Sequence, residues 1–524
     1  MTVPDAHRGG DRVTVAIVGG GPTGITAATL LAQYGIDTLV LERWAQVYPQ
    51  PRAVHLDDEV YRILARLGVA DAFAAISRPA KGLRLIDRQQ TVLAEFSRDT
   101  ALTRNGFPAA NMFDQPELEK LLRQNLTRFP NARFRGDTEV LEIAEAAGGV
   151  ELRIRERAGG RESRITADYV LGCDGANSMV REAIGARMRS GKFDQRWLVI
   201  DIGCSMDLHQ WEGVHQVCDS RRAGTYMRIG QDRYRWEFAL AEHESVADFP
   251  DLPALRPLIA PWTRGVADAD LRLLRVAEYT FRAQIADRWR AGRVFLLGDA
   301  AHLTPPFIGQ GMGAGLRDAM NLAWKIAGHH RGSWTSRVLD SYETERARHT
   351  RQLISLALTV GHAMTAGGEL GTALRRLTLP RVHLVPGLRA KITDSQTPPL
   401  RSSPMVRRTA NTRRIAGRLC PNVLLETGRR LDEEVGRGFG VVTTARLTPD
   451  QQCLVASRGA RTVFAAPGTE LACWLSRHRV SAAVVRPDGT VLVAGRDVTA
   501  LCRAVPRFAD DRPAQGSAHA HPDE

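Results

Sequence analysis

Near its start the chain sets an unbroken apolar run, a helical pattern and a second apolar run one after another. VTVAIVG, from Val13, is apolar on both faces, as a parallel strand covered from both sides must be. GITAATLLAQYG places apolar residues at helical spacing and stops at Gly35. DTLVLE returns to strand. Strand, glycine turn, helix and strand make one βαβ unit, so the spacing predicts a doubly wound α/β domain opening here. The first apolar stretch breaks at once into glycines, which reads as a buried strand and not as a secretory leader. From 80 to 115 the pattern is irregular, and PELEKLLRQNL then resumes as helix behind Pro116. ADYVLGCDG is a further buried strand running into a glycine turn. Between 190 and 280, stretches such as TYMRIG and YRWEFALA alternate and carry aromatics, which predicts a mostly antiparallel sheet. RVFLLGDAAH regains parallel-strand character and leads to a glycine-rich loop, the helix RDAMNLAWKIAG and a long helix through SYETERARHTRQLISLALTVGHAM.

These patterns divide the chain. Residues 1–190 form the first part of the α/β domain, 191–280 an inserted sheet, and 281–395 the rest of the domain with long helices. QTPPLRSSP at 396–404 reads as a linker, and 405–508 as a small separate unit whose hairpin turns on Pro487-Asp488-Gly489. The stretch 509–524 lacks apolar anchors and reads as a disordered tail.

Composition narrows the class. With 524 residues, 44% hydrophobic and 25% charged, the chain has the make-up of a globular protein of two or three domains. No run of eighteen apolar residues predicts a membrane span. The seven cysteines are scattered without a C-x-x-C pair, which favours a reducing compartment, the cytoplasm, with neither a disulfide framework nor a metal site. The net charge of +13 raises nucleic-acid binding. The arginines, however, are scattered among acids, as in RIRERAGGRESR, and no nucleic-acid partner is expected.

Two constellations carry chemistry. Gly19-x-Gly21-x-x-Gly24 lies between strand and helix. Its first glycine allows the tight turn, its second lets backbone approach a pyrophosphate, and its third allows close helix–strand packing. Gly20, Pro22 and Thr23 fill the turn. Glu42, followed by Arg43, ends the next strand, where a carboxylate can accept the ribose hydroxyls. The second constellation begins with Gly298-Asp299 after a buried strand. Two prolines including Pro306 follow, and then Gly309-Gln310-Gly311-Met312 opens a helix. An aspartate at a strand end can accept from a ribityl hydroxyl, helix-opening glycines offer N–H donors to a flavin's pyrimidine edge, and the prolines form a donor-free wall.

With these motifs the sequence resembles the group A flavoprotein aromatic hydroxylases, which share the para-hydroxybenzoate hydroxylase fold. The resemblance implies an FAD-binding Rossmann-like domain with an inserted, mostly antiparallel substrate sheet, and a C-terminal thioredoxin-like domain lacking redox cysteines. It assigns Gly19, Gly21, Gly24 and Glu42 to the ADP half of FAD, and Asp299 to the ribityl and pyrophosphate region. Asp174-Gly175 with Arg181 matches the motif associated with FAD and transient NAD(P)H binding. Arg52 and Gln115 resemble further flavin contacts, Pro306 the proline beside the isoalloxazine, and Gly311 with Met312 the donors at its pyrimidine edge. YPQPRAVHLDDE, FDQRWLVIDI and SLALTVGHAM are most similar to meta-hydroxyphenylpropionate hydroxylases, although Phe307-Ile308 departs from the more polar or bulky residues of some relatives. The implied activity is hydroxylation of a phenolic aromatic acid with NAD(P)H and O2, through an electrophilic flavin C4a-hydroperoxide.

Other residues take plainer readings. His302 reads as a packing or hydrogen-bonding residue, His329-His330 as cations suited to a helix end, and Asp57-Asp58-Glu59 as an acidic first turn. Tyr226, Arg228, Tyr234 and Trp236 alternate along the sheet, where lining the substrate face and packing the core are both open. Arg228, Arg233 and Arg235 are candidates for a substrate carboxylate, and no residue stands out as the phenol's base. The C-terminal unit reads as packing or an oligomer interface, which leaves a homo-oligomer open. Two other functions fit less fully: a hydroxylase tailoring a polyketide or antibiotic ring, and a non-catalytic flavin-binding sensor.

Overall fold

The computed structural model describes residues 11–49, 52–98, 102–365, 397–410 and 412–508. The tail expected at 509–524 lies outside the described residues.

The nucleotide domain is built on an eight-stranded sheet. Its parallel core runs Val294–Leu296, Glu162–Gly172, Asp11–Val18, Thr38–Leu41, Ala132–Arg135, with Thr138–Ala146 and Gly149–Glu156 added as an antiparallel branch and Arg290–Ala291 antiparallel at the edge beside Val294–Leu296. Val15, Ala16 and Ile17 are fully buried, as the unbroken apolar run requires. The helix Pro22–Gln33 packs on this sheet and on the helix Gly311–His330. These two helices approach closely because Gly298 and Gly315 leave room for Thr23 between them. A Cβ on either glycine would run into the Thr23 hydroxyl.

The second sheet, also of eight strands, draws on more of the chain than 191–280. Its order is His302–Leu303, Arg272–Ala286, Met188–Gly203, Arg233–Ala239, Gly224–Arg228, Val214–Val217, Gly82–Ile86, Val92–Ser97. The last two strands come from the stretch that looks irregular in sequence, and Gly82–Ile86 joins Val214–Val217 in the sheet's parallel pair. Pairing across so many residues leaves no local periodicity to read.

The C-terminal unit has a four-stranded sheet in the order Arg461–Phe464, Gly440–Thr443, Ala482–Val485, Val491–Gly495, with the first two parallel and the others antiparallel. It is not a bead on a linker. Its Phe439, Val441 and Phe508 belong to the same core cluster as the nucleotide domain. Trp334 stacks on Phe508 with centroids 5.3 Å apart, and Trp324 meets Phe439 edge-on at 5.8 Å. Beside them lies a fully buried ionic cluster. Arg486, from the C-terminal hairpin, pairs with Asp488 and reaches Glu345 at 3.1 Å, and Lys325 meets the same Glu345 oxygen at 2.9 Å.

Candidate functional site

The first glycine turn is shaped by two different demands. Gly19 sits at φ +105°, where a Cβ would strike the Cys173 carbonyl, and a Cβ on Gly24 would strike the Gly19 carbonyl. Gly21 is different, because a Cβ there meets no protein atom within 4 Å. It faces a cavity of about 950 Å³. The first intrahelical bond runs from Ile25 N–H to Gly21 C=O, so the N–H groups of Thr23 and Gly24 have no helical acceptor. An anion at this helix start would meet unpaired donors and the positive end of the dipole. Glu42 ends its strand beside the turn, buried, and accepts from Gly20 N–H at 2.6 Å and Trp44 N–H at 3.0 Å. Arg43 is exposed beyond it.

The second constellation forms the facing wall. Asp299, Pro306, Gly309, Gln310, Gly311 and Met312 all line the same cavity as Gly21, Pro22 and Thr23. Burial pushes the Asp299 carboxyl above its usual range against the pull of His302 and Arg52. Gly311, like Gly21, opens onto empty space, and the first bond of its helix is Ala314 N–H to Gln310 C=O. The N–H groups of Gly311, Met312 and Gly313 are therefore without helical acceptors. Gln310 spends its own amide on Asp57 (2.8 Å) and Arg317 (3.0 Å).

Of the other residues singled out in the sequence, Arg52 and Gln115 line this cavity and Asp174 and Arg181 lie behind its wall. Gln115 Oε1 accepts from the backbone N–H groups of Arg52 (3.0 Å) and Ala53 (2.6 Å), so it fixes the loop that carries Arg52 to the cavity. The Asp174 oxygens accept from Ser178 Oγ (2.5 Å) and Val180 N–H (3.1 Å). Asp174 thereby shapes the turn that brings Gly175 and Ala176 to the cavity. Arg181 ties that turn to the second constellation, donating to Ala176 and Ala300 carbonyls.

Several plain readings are refined. His302 is fully buried, stacked on Trp289, and its Nε2 lies 2.8 Å from Asp318. Asp57 caps the helix Asp58–Leu67 and pairs with Arg317, as an acidic helix start should. His329 does end its helix, but burial and then Arg290 and Arg293 lower its pKa, so a cation there is disfavoured. Among the described residues no cluster of three or more His, Cys, Asp or Glu is placed to hold a metal. No helix among them is long and apolar enough to cross a membrane.

The second sheet resolves its parity. Tyr226, Tyr234 and Trp236 are buried on the face turned away from the cavity, against Trp262. Thr225, Met227, Arg235 and Glu237 line the cavity instead. Of the arginines considered for a carboxylate, Arg228 pairs with Asp207 and Glu212, and Arg233 with Asp114, both away from the cavity wall. Arg235 is on the wall but held by both oxygens of Asp201 at 2.7 and 2.9 Å. His55, which nothing in the sequence singles out, lies on the wall at Gly309. Its buried Nδ1 is turned against that glycine, which leaves Nε2 as the ring nitrogen open to the cavity. Burial, and then Arg98, lowers its pKa to about 4.

A doubly wound sheet whose glycine turns leave an open cradle above an antiparallel sheet defines a class of dinucleotide-dependent flavoenzyme. The family described as FAD binding domain matches residues 12–357. The 3-(3-hydroxy-phenyl)propionate/3-hydroxycinnamic acid hydroxylase of Burkholderia cenocepacia (strain HI2424) is 32% identical over 511 residues, 91% of this chain and 93% of that protein. The probable NADH-specific resorcinol 4-hydroxylase of Rhodococcus jostii (strain RHA1) is also 32% identical, with 93% of each covered. Among solved structures, the flavin-dependent monooxygenase PieE in complex with FAD and substrate superposes with a TM-score of 0.79 at 22% identity, covering 97% of this chain and 99% of that one. Aklavinone-11 hydroxylase with FAD and aklavinone gives 0.77 at 23%, covering 96% and 100%. The chain belongs to the FAD-binding-domain family, among its FAD-dependent aromatic hydroxylases.

Proposed function

We propose that the protein hydroxylates a phenolic aromatic acid, using FAD, NAD(P)H and O2. The observation that carries this reading is the cavity, walled on one side by glycines that only a ligand needs and on the other by an antiparallel sheet. The overall reaction takes NAD(P)H, a proton, O2 and the phenol to NAD(P)+, water and a ring bearing one more hydroxyl.

The residues fit FAD. Glu42 would take the ribose hydroxyls, the Thr23 and Gly24 N–H groups the pyrophosphate, and Asp299 the ribityl chain. Gly311 and Met312 would donate to the pyrimidine edge, with Pro306 against the ring and Arg52 beside it. Bound FAD supplies electron passage from NAD(P)H to O2 and an electrophilic oxygen. The chain's own residues hold the ring and exclude water, through walls such as Leu85, Phe96, Val199 and Phe307. His55, neutral at pH 7, offers Nε2 as acceptor to the phenol O–H, which raises electron density on the ring. Arg98 and Arg282, which faces Asp194 at 3.8 Å, are further cations on the cavity wall that could meet a carboxylate. The seven free cysteines support a reducing compartment, the cytoplasm. The strand order of the C-terminal unit supports a thioredoxin-like fold.

A second reading, a hydroxylase for a multi-ring substrate, is favoured by the cavity's reach past Pro306 to Leu353, Leu356 and Val360. The test measures NAD(P)H consumption and product with meta-hydroxyphenylpropionate, its methyl ester, its dehydroxylated analogue and a multi-ring phenol. The free phenolic acid gives a catechol in step with the coenzyme used, and the dehydroxylated analogue gives peroxide or nothing. Product from the multi-ring phenol alone selects the second reading. Coenzyme oxidation indifferent to every phenol refutes both.

A further inference from the structure

Glu237 is a carboxylate that the proposed mechanism does not use. It lies on the strand Arg233–Ala239, opposite Val199 on one neighbouring strand and Thr225 on the other. Alternation turns its side chain to the cavity, together with Arg235 and away from Trp236. It is 9% exposed, and no hydrogen bond to its carboxylate is found among the described residues. Its nearest cation, Arg235, stands 3.8 Å away and is already held by both oxygens of Asp201. The charged groups around it are Arg235 on its own strand, Asp201 on Met188–Gly203 and Arg275 on Arg272–Ala286. Arg275 itself lies 3.7 Å from Asp201, so the two arginines and the two carboxylates balance. Burial lifts the Glu237 carboxyl above its usual range despite Arg235.

A buried carboxylate with open acceptor sites favours a donor and repels a second anion. The hydroxyl of Thr225, on the neighbouring strand, is given to Gln216 at 3.0 Å and is not spent on Glu237.

We propose that Glu237 determines which ring substituent is admitted at the sheet side of the cavity: it accepts a hydrogen bond from an O–H or N–H group there and excludes a carboxylate. The inference rests on the reading of the cavity as an aromatic-ring site. It places any carboxylate tail of the substrate at another part of the wall.

The test uses holoenzyme and follows the flavin absorbance change on titration with phenol, resorcinol and 3-hydroxybenzoate. Wild type, Glu237→Leu and Glu237→Gln are compared, with FAD content and Tm checked for each. Wild type binds resorcinol more tightly than phenol. Glu237→Leu loses about ten- to hundredfold in resorcinol Kd and less than twofold in phenol Kd. Glu237→Gln gains affinity for 3-hydroxybenzoate, and it carries the test if the leucine variant does not fold. Equal changes for phenol and resorcinol, or no gain for the carboxylate in Glu237→Gln, overturn the assignment. If none of the three ligands perturbs the wild-type flavin, the ring-site reading falls with it.

Discussion

Replacing Arg486 by methionine would remove the central cation of a buried ionic cluster. The guanidinium pairs with Asp488 and Glu345, donates to the Met405 carbonyl at 3.1 Å, and lies over the Trp324 ring at 5.0 Å. Methionine keeps much of the volume but leaves two buried carboxylates facing Lys325 alone. Breaking a buried pair by removing one partner costs about 3–5 kcal/mol. Glu345 supplies a pH signature. Burial works to raise its pKa, but Arg486 and then Lys325 overcome this and hold it at about 2. A carboxylate depressed in the folded state contributes stability that is complete above its unfolded value near 4.5 and is lost as pH falls towards 2. Without Arg486 that contribution shrinks, so the variant's deficit is largest at neutral pH and narrows below pH 4. The assay is calorimetric unfolding of holoenzyme from pH 3 to 8, with Glu345→Gln and the double variant closing a thermodynamic cycle. A deficit near 4 kcal/mol lowers Tm by several degrees in a chain of this size. A Tm within one degree of wild type at pH 7, or singles and double that simply add, would refute the reasoning.

Two further tests follow from the geometry. Gly21→Ala should leave apoprotein stability unchanged, since its Cβ points into open cavity, and should weaken FAD by about tenfold or more. Gly24→Ala should destabilise the apoprotein as well, and equal melting of the two apo variants would contradict the cradle. Asp58→Asn probes a carboxyl that burial, and then Asp57, raises to about 6. Its folded pKa exceeds the unfolded one, so charging it costs stability as pH rises from 4 to 6. The amide should stabilise the protein by about 1–3 kcal/mol at pH 8 and by little at pH 4, as denaturant titration at both pH values would show.

The parallel strands and both glycine turns are legible because each needs one residue type at one local position. The cavity-facing side of the second sheet is not. Period two separates Tyr226, Tyr234 and Trp236 from Thr225, Met227 and Glu237, but both sets mix apolar and polar groups. Only the packing of Trp262 beneath the aromatic set decides which faces inward. His55 escapes notice because its role depends on Gly309, far along the chain. Asp488 looks like an ordinary hairpin-turn residue, and the structure makes it part of a buried ionic cluster. The linker at 396–404 misleads for a related reason. Its composition is that of a spacer, yet Ser403 hydrogen-bonds Glu345 and Leu400 is buried.

The shared core has a bearing on how the protein is born. The parallel sheet pairs Asp11–Val18 with Glu162–Gly172, and that strand with Val294–Leu296, so the ribosome must deliver all three before the sheet can close. The indoles of Trp324 and Trp334 then wait for Phe439 and Phe508. At about 5–20 residues per second, the interval from Trp334 to Phe508 is about 9–35 s. Through that time the nascent chain carries a sticky aromatic face that only its own last unit can cover. Chaperone supply and translation speed would therefore set the yield of active protein, and a fragment ending before Phe508 would be an aggregation-prone product.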